Sequence, residues 1–232
     1  YHEYFAHVPI IRTANVPENV LVLGGGDGIL IKELLKYKDV QKITHVDLDP
    51  VLVNLAETDP VLLKMNRGSL LDPRVENIFG DGFQFVRNTE DKYDAIYIDF
   101  PYVVDYNLSK LYSKEFYYFV KKVLAPEGFV VIDSPGVGTF TEIDLSGRQY
   151  YVDQNDWFYY GQTLKAAGFK TIVPYVSNLE LENEGAMNIM RRIVESQNLN
   201  LENTATEDGL QLDPDTVKDI LARQMLASHV YS

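Results

Sequence analysis

VLVLGGGDGILIKELLKYKDVQKITHVDLDP, residues 20–50, reads as a strand, a glycine turn, a helix and a second strand. Residues 20–24 are apolar until they end in glycine, as in a strand buried on both faces of a parallel sheet. Residues 29–37 then place Ile29, Leu30, Leu34 and Tyr37 at helical spacing. Residues 42–49 return to strand composition, and Pro50 opens another helix where a missing N–H is tolerated. Strand, tight turn and helix in this order form the unit from which doubly wound sheets are built.

The alternation continues outward. Strands are expected over 75–82, 93–100 and 129–133, with helices over 83–87 and 113–124 and turn chemistry at Pro126-Glu127-Gly128. From Ser134 to Asp153 the Gly, Thr and Ser content predicts a loop, followed by a helix over 154–167 ended by Gly168. A closing pair of strands is expected at 169–176 and 186–193. Residues 195–213 are polar, and Asp213 caps an expected helix over 214–226. The pattern predicts an α/β fold: a Rossmann-like, class I methyltransferase-type sheet, mostly parallel, with a closing antiparallel strand pair. Residues 1–193 are expected to form the nucleoside-binding catalytic domain, and 194–232 a polar loop and C-terminal helix packed on it or trailing from it.

Composition narrows the chemistry. Charges sum to 21 − 34 = −13, which excludes a nucleic-acid partner of the usual kind, since such surfaces cluster Lys and Arg; a small cationic substrate fits better. The absence of cysteine removes disulfides, thiolate nucleophiles and Cys-ligated zinc. His2, His7, His45 and His229 lack the spacing of a helical metal site, and no metal is expected. No apolar run approaches the ~20 residues needed to span a bilayer and no signal peptide opens the chain, which predicts a soluble, cytoplasmic domain. The start at Tyr1, without methionine, reads as a fragment with something upstream.

Chemistry concentrates at the ends of the expected strands. Gly24-Gly25-Gly26-Asp27-Gly28 lies between strand and helix, where the backbone can approach a ligand and aim N–H groups at it; alone, such a cluster is equally a tight turn. Asp47 closes the second strand 19 residues after Gly28, placed to accept from the ribose hydroxyls of an adenine nucleoside. Gly80-Asp81-Gly82 adds a carboxylate suited to an adenine amino group, and Asp99 closes the fourth strand beside the glycine turn as the catalytic candidate. Taken alone, Asp99 is equally a turn cap before Pro101. Tyr102 and Asp105 could line a pocket, whereas Tyr93, Tyr97 and residues 116–119 (FYYF) read as packing.

These residues resemble the spermidine synthase family of polyamine aminopropyltransferases over Tyr1 to about Arg192. Tyr1-His2-Glu3 with His7-Val8-Pro9 looks like that family's entry to its catalytic domain, and GGGDG is followed at matching distances by Asp47, Gly80-Asp81-Gly82 and Asp99. Residues 108–117 (LSKLYSKEFY) are similar to the subgroup fused to membrane-spanning segments. The resemblance implies decarboxylated S-adenosylmethionine as co-substrate, with S-adenosylmethionine or methylthioadenosine as further ligands of the same site. It implies Asp47 at the ribose, Asp81 and Gly82 at the adenine, and Gly24, Gly25, Gly26, Asp27 and Gly28 around the sulfonium side chain. Asp27 would attract the terminal ammonium of the decarboxylated donor and repel the carboxylate of the ordinary one.

Tyr1, His2, Asp27, Asp99, Tyr102 and Asp105 would border a small cationic amine, with Asp99 orienting it and taking its proton. The resemblance further implies a homo-oligomer, and an N-terminal domain or membrane-spanning segment preceding Tyr1. The chain departs from the family after Asp99, where Phe100-Pro101-Tyr102-Val103 lacks a second acidic residue, and at 179–187 (LELENEGAM). Acceptor identity is therefore open. Two other readings stand beside this one: a methyltransferase using S-adenosylmethionine, and a non-catalytic nucleoside- or polyamine-binding module.

Overall fold

The computed structural model describes residues 1–101, 106–133, 138–143, 149–154 and 156–173. β1 (Asn19–Gly24) is its centre: Val20, Leu21, Val22 and Leu23 are all fully buried. At ~2 kcal/mol for each such side chain, both faces of this strand must be covered. β2 (Lys42–Asp47) pairs parallel to one edge of it and β4 (Tyr93–Asp99) to the other. β3 (Val75–Phe79) lies outside β2, and β5 (Leu124–Ile132) outside β4, giving the parallel order β3-β2-β1-β4-β5. The winding reverses between β1 and β4, the switch point at which doubly wound sheets bind ligands at the carboxyl ends of their strands.

Side-chain alternation sends Val20, Val22, Ile43, Ala95, Tyr97 and Val131 to one face, against α1 (His2–Thr13), α2 (Ile29–Leu34) and α3 (Pro50–Thr58). Leu21, Leu23, Val46, Ile96 and Ile98 meet α5 (Gly82–Asn88) and α7 (Lys114–Val123) on the other. Asp49, Asp59 and Asp81 each cap a helix by accepting two backbone N–H groups, at the starts of α3, α4 (Pro60–Asn66) and α5. α6 (Tyr106–Ser109) is a single turn between β4 and α7.

α1 had no counterpart among the expected elements, and Pro9 within it explains why. It survives because Tyr4 to Ile11 are all buried, so tertiary packing outweighs the proline's missing N–H. A buried polar cluster ties it to α2. His7 Nδ1 lies 2.7 Å from the Tyr37 hydroxyl and Nε2 3.0 Å from the Glu33 carboxylate, which is also paired with Lys32 and Lys36. Burial raises the Glu33 pKa, but the His7 hydrogen bond and Lys36 outweigh it and hold the carboxyl well below its usual range.

Three expectations need adjustment. β5 begins at Leu124 rather than 129, because Pro126-Glu127-Gly128 forms a bulge inside the strand, with Leu124 opposite Tyr93 and Phe129 opposite Ala95. The expected loop at 134–153 instead contains an antiparallel hairpin, β6 (Gly138–Ile143) with β7 (Gln149–Gln154). Residues such as Thr139, Phe140, Thr141, Tyr150 and Tyr151 suit a strand, and that preference outweighed the glycine and serine around them. The helix expected over 154–167 is α8 (Asp156–Ala166), followed by Gly168 at φ 94°. Of the closing strand pair, residues 169–173 are described and are not in a strand; the remainder, and the 194–232 segment, lie outside the described residues. Among the described residues, no helix is long and apolar enough to cross a membrane.

Candidate active site

The sheet register builds the site before any side chain is considered. Gly24 is level with Asp99 in the β1–β4 pairing. Leu23 is level with Val46, which brings Asp47 opposite Gly24 on the other side. Ile98 is level with Ile132, so Asp133 comes next to Asp99. Asp47, Gly24, Asp99 and Asp133 therefore form one row across four adjacent strand ends, on a single face of the sheet.

The glycines fit between these carboxylates. A Cβ on Gly24, at φ +81°, would lie 2.2 Å from the Asp99 carbonyl oxygen. One on Gly25 would stand 3.0 Å from Asp99 Oδ2, and one on Gly26 2.8 Å from Asp47 Oδ2. Gly25 and Gly26 are thus pressed directly against the two carboxylates, and a side chain at either would displace one of them.

Around that row stand the other expected residues. The Asp27 carboxylate accepts from the Ile29 N–H at 2.9 Å, and its other oxygen is 3.9 Å from His2 Nε2. Tyr1 and His2, at the start of α1, stack with ring centroids 3.9 Å apart. The Tyr1 hydroxyl donates to Asp99 Oδ1 at 3.1 Å. His2 Nε2 is buried without a hydrogen-bond partner. Burial, ahead of the opposing pull of Asp27, lowers the His2 pKa. Tyr1 is raised by burial first and then by Asp99.

Asp99 is pushed up to about 6, first by burial and also by the charges of Asp133, Asp27 and Asp47, while the Tyr1 hydrogen bond pulls the other way. A carboxyl tuned to that range can exchange a proton near neutrality. Its pKa also ties together four acids drawn from four separate stretches of sequence.

Asp81 sits at the end of β3 on the same edge of the sheet. One carboxylate oxygen caps α5 through the N–H groups of Phe83 and Gln84, at 2.8 and 3.3 Å, and the other is paired with Lys110. Burial raises its pKa, but Lys110 and the two N–H groups hold it below the usual range. Gly82, the first residue of α5, is buried, and a Cβ there would lie 3.1 Å from the Phe100 ring. Tyr102 and Asp105 lie outside the described residues.

Sequence reasoning missed Asp133, Lys110 and Tyr112. Asp133 was readable, because it directly follows the apolar run of β5 as Asp99 closes that of β4. Lys110 pairs with Asp81 only through the fold, and nothing in its neighbours signals this. The Tyr112 hydroxyl donates to the Pro101 carbonyl at 2.7 Å, anchoring the backbone just beyond Asp99. Tyr93, Tyr97, Phe116 and Tyr117 are packing residues as expected.

Over 134 residues the chain is 48% identical to a polyamine aminopropyltransferase of Oceanobacillus iheyensis, covering 58% of this chain and 26% of that protein. It is 37% identical over 171 residues to polyamine aminopropyltransferase 1 of Streptomyces coelicolor, covering 74% and 29%. A crystal structure of spermidine synthase in complex with the transition state analogue AdoDATO superposes with TM-score 0.48 and 32% identity, over 53% of this chain and 41% of that one. The chain spans between a quarter and a third of the length of the two curated relatives. The model of the spermine/spermidine synthase domain matches residues 1–144, the span that carries α1, the glycine turn and the whole row of strand-end acids. With those residues both matched in sequence and assembled in space, the chain belongs to the spermine/spermidine synthase domain family.

Proposed function

We propose that the site transfers an aminopropyl group from decarboxylated S-adenosylmethionine to a small polyamine. The observation that carries this reading is Asp99, raised to about 6 and set in a ring of carboxylates beside the glycine turn. Asp47 accepts from the ribose hydroxyls, Asp81 and Gly82 meet the adenine, and Gly24, Gly25, Gly26 and Gly28 let the sulfonium approach the backbone. Asp27 faces the donor's terminal ammonium. A donor carrying a carboxylate would meet these acids at a cost, which favours the decarboxylated form over S-adenosylmethionine.

The acceptor amine binds between Tyr1, His2 and Asp99. Asp99 takes a proton from the ammonium and frees the nitrogen lone pair. That lone pair attacks the propyl carbon attached to sulfur, the carbon–sulfur bond breaks with its electrons going to sulfur, and methylthioadenosine leaves. The sulfonium is already a good leaving group, so the protein supplies orientation and deprotonation.

Calorimetry with both donors tests the donor assignment: tighter binding of the decarboxylated form is expected, and tighter binding of S-adenosylmethionine would favour methyl transfer instead. Turnover assays across several amines, detecting methylthioadenosine, test the transfer itself. No methylthioadenosine with any amine, despite normal nucleoside binding, would leave a binding module.

A further inference from the structure

The transfer chemistry uses Asp47 for the ribose, Asp27 for the donor's ammonium and Asp99 for the attacking nitrogen, but gives no task to Asp133, the fourth acid of the group. Its backbone fixes where it stands. The Asp133 N–H donates to the Ile98 carbonyl at 3.1 Å, which carries the β4–β5 ladder one step past the pair of Ile98 and Ile132. Neighbouring strands lie about 4.8 Å apart, and side chains two residues apart share a face. Tyr97 and Val131, each two residues earlier, both belong to the core on the α1 side of the sheet. Asp99 and Asp133 therefore emerge side by side on that face, where Tyr1 stands at the head of α1.

The side chains meet in the same space as the backbone directs. The Asp133 charge acts on Asp99 and on the Tyr1 hydroxyl, raising both, and the same hydroxyl donates to Asp99. Facing Asp99 are thus Asp133 from β5, Tyr1 from α1, Asp27 from the glycine turn and Asp47 from β2. Carboxylates so placed repel one another, and a cation between them relieves the repulsion. Two further features suit a ligand there. His2 Nε2, 3.9 Å from Asp27, is buried without a hydrogen-bond partner, which an N–H from a ligand would satisfy. The Tyr1 ring, stacked on His2, remains exposed and offers apolar surface to methylene groups.

We propose that Asp133 binds the second ammonium of the acceptor and makes the site selective for a diamine over a monoamine. This role rests on the transfer reading above. With the attacking nitrogen at Asp99 and the other at Asp133, the two nitrogens are separated by roughly one strand spacing and the reach of each ion pair, which suits a chain of about three or four methylenes. A monoamine of the same length sets a methyl group against Asp133 and leaves the repulsion between the two acids in place.

Calorimetry on the whole chain saturated with methylthioadenosine tests this with n-butylamine and the α,ω-diamine of the same length. The wild type is expected to bind the diamine at least about tenfold more tightly, and Asp133→Asn to bind the two amines within about twofold of each other. Asp133→Glu keeps the charge and should keep the preference, which separates loss of a carboxylate from a folding defect. The pH profile of kcat/KM with the diamine supplies a second readout. Without the Asp133 charge only Asp27 and Asp47 remain to raise Asp99, so the acid limb should move to lower pH in Asp133→Asn. A diamine preference that survives in Asp133→Asn, or an acid limb that stays in place, would overturn the role of Asp133 while leaving the transfer reading intact. A wild type that binds neither amine, or releases no methylthioadenosine from the decarboxylated donor, would sink the transfer reading and this role with it.

Discussion

The hydroxyl of Tyr1 donates to the carboxylate of Asp99 at 3.1 Å, joining residues 98 positions apart. This bond favours the ionised acid, against burial and three neighbouring carboxylates that favour the protonated one. In Tyr1→Phe only the second set remains, so the Asp99 pKa moves above about 6. The acid limb of the kcat/KM profile should shift to higher pH, with roughly a tenfold loss near pH 6.5 and a smaller one above about pH 8. A pH–rate series on both proteins checks this.

Asp99→Asn should lower turnover by about 10²–10⁴-fold while making the protein more stable at alkaline pH. The folded-state pKa, about 6, lies above the ordinary 3.8. The folded chain therefore binds this proton more tightly than the unfolded one. Stability from this group is fully present below 3.8 and is lost as pH rises through about 6. The asparagine variant escapes that loss, so its advantage in thermal midpoint should be larger at about pH 8 than at about pH 4.

Gly24→Ala and Gly26→Ala should fail in different ways. At Gly24 the new Cβ would meet backbone at 2.2 Å with φ +81°, and a denaturant melt should show a loss of about 3 kcal/mol. At Gly26 it would meet the Asp47 carboxylate, a side chain that can move. That variant should keep most of its stability and lose at least about tenfold in methylthioadenosine affinity by calorimetry.

Glu33→Gln should cost about 3 kcal/mol at neutral pH, because it leaves buried His7 and Lys36 facing an uncharged amide. The Glu33 pKa is depressed below the ordinary 4.5, so its contribution is present above that value and lost as pH falls through the folded-state pKa. Urea midpoints of wild type and variant should therefore converge in acid and separate toward neutrality.

Much of this site was legible because its residues occupy the one place a parallel sheet reserves for ligands. Asp47 and Asp99 each terminate an apolar run, and that alone put them on the carboxyl edge. The glycine turn announced itself by composition. Asp133 carried the same signal but was followed by glycine, serine and threonine, which drew attention to a loop. The Lys110–Asp81 pair joins the turn after α6 to the cap of α5, 29 positions apart, and no local pattern encodes packing between elements so far apart in sequence. α1 escaped because a helix buried nearly all round, with a proline inside, shows no amphipathic period.

The position of α1 has a consequence for how the protein matures. Tyr97 donates to the Ala6 carbonyl at 3.1 Å, and Tyr1 reaches Asp99, so α1 leaves the ribosome about ninety residues ahead of the strand on which it sits. Closing so long a loop is entropically slow, and α1 must wait while β1, β2 and β3 are synthesised and paired. Its docking delivers Tyr1 and His2 to the strand-end acids in a single step. Arrival of α1 is thus the event that brings these residues together, and any binding that needs both halves will report that α1 has docked.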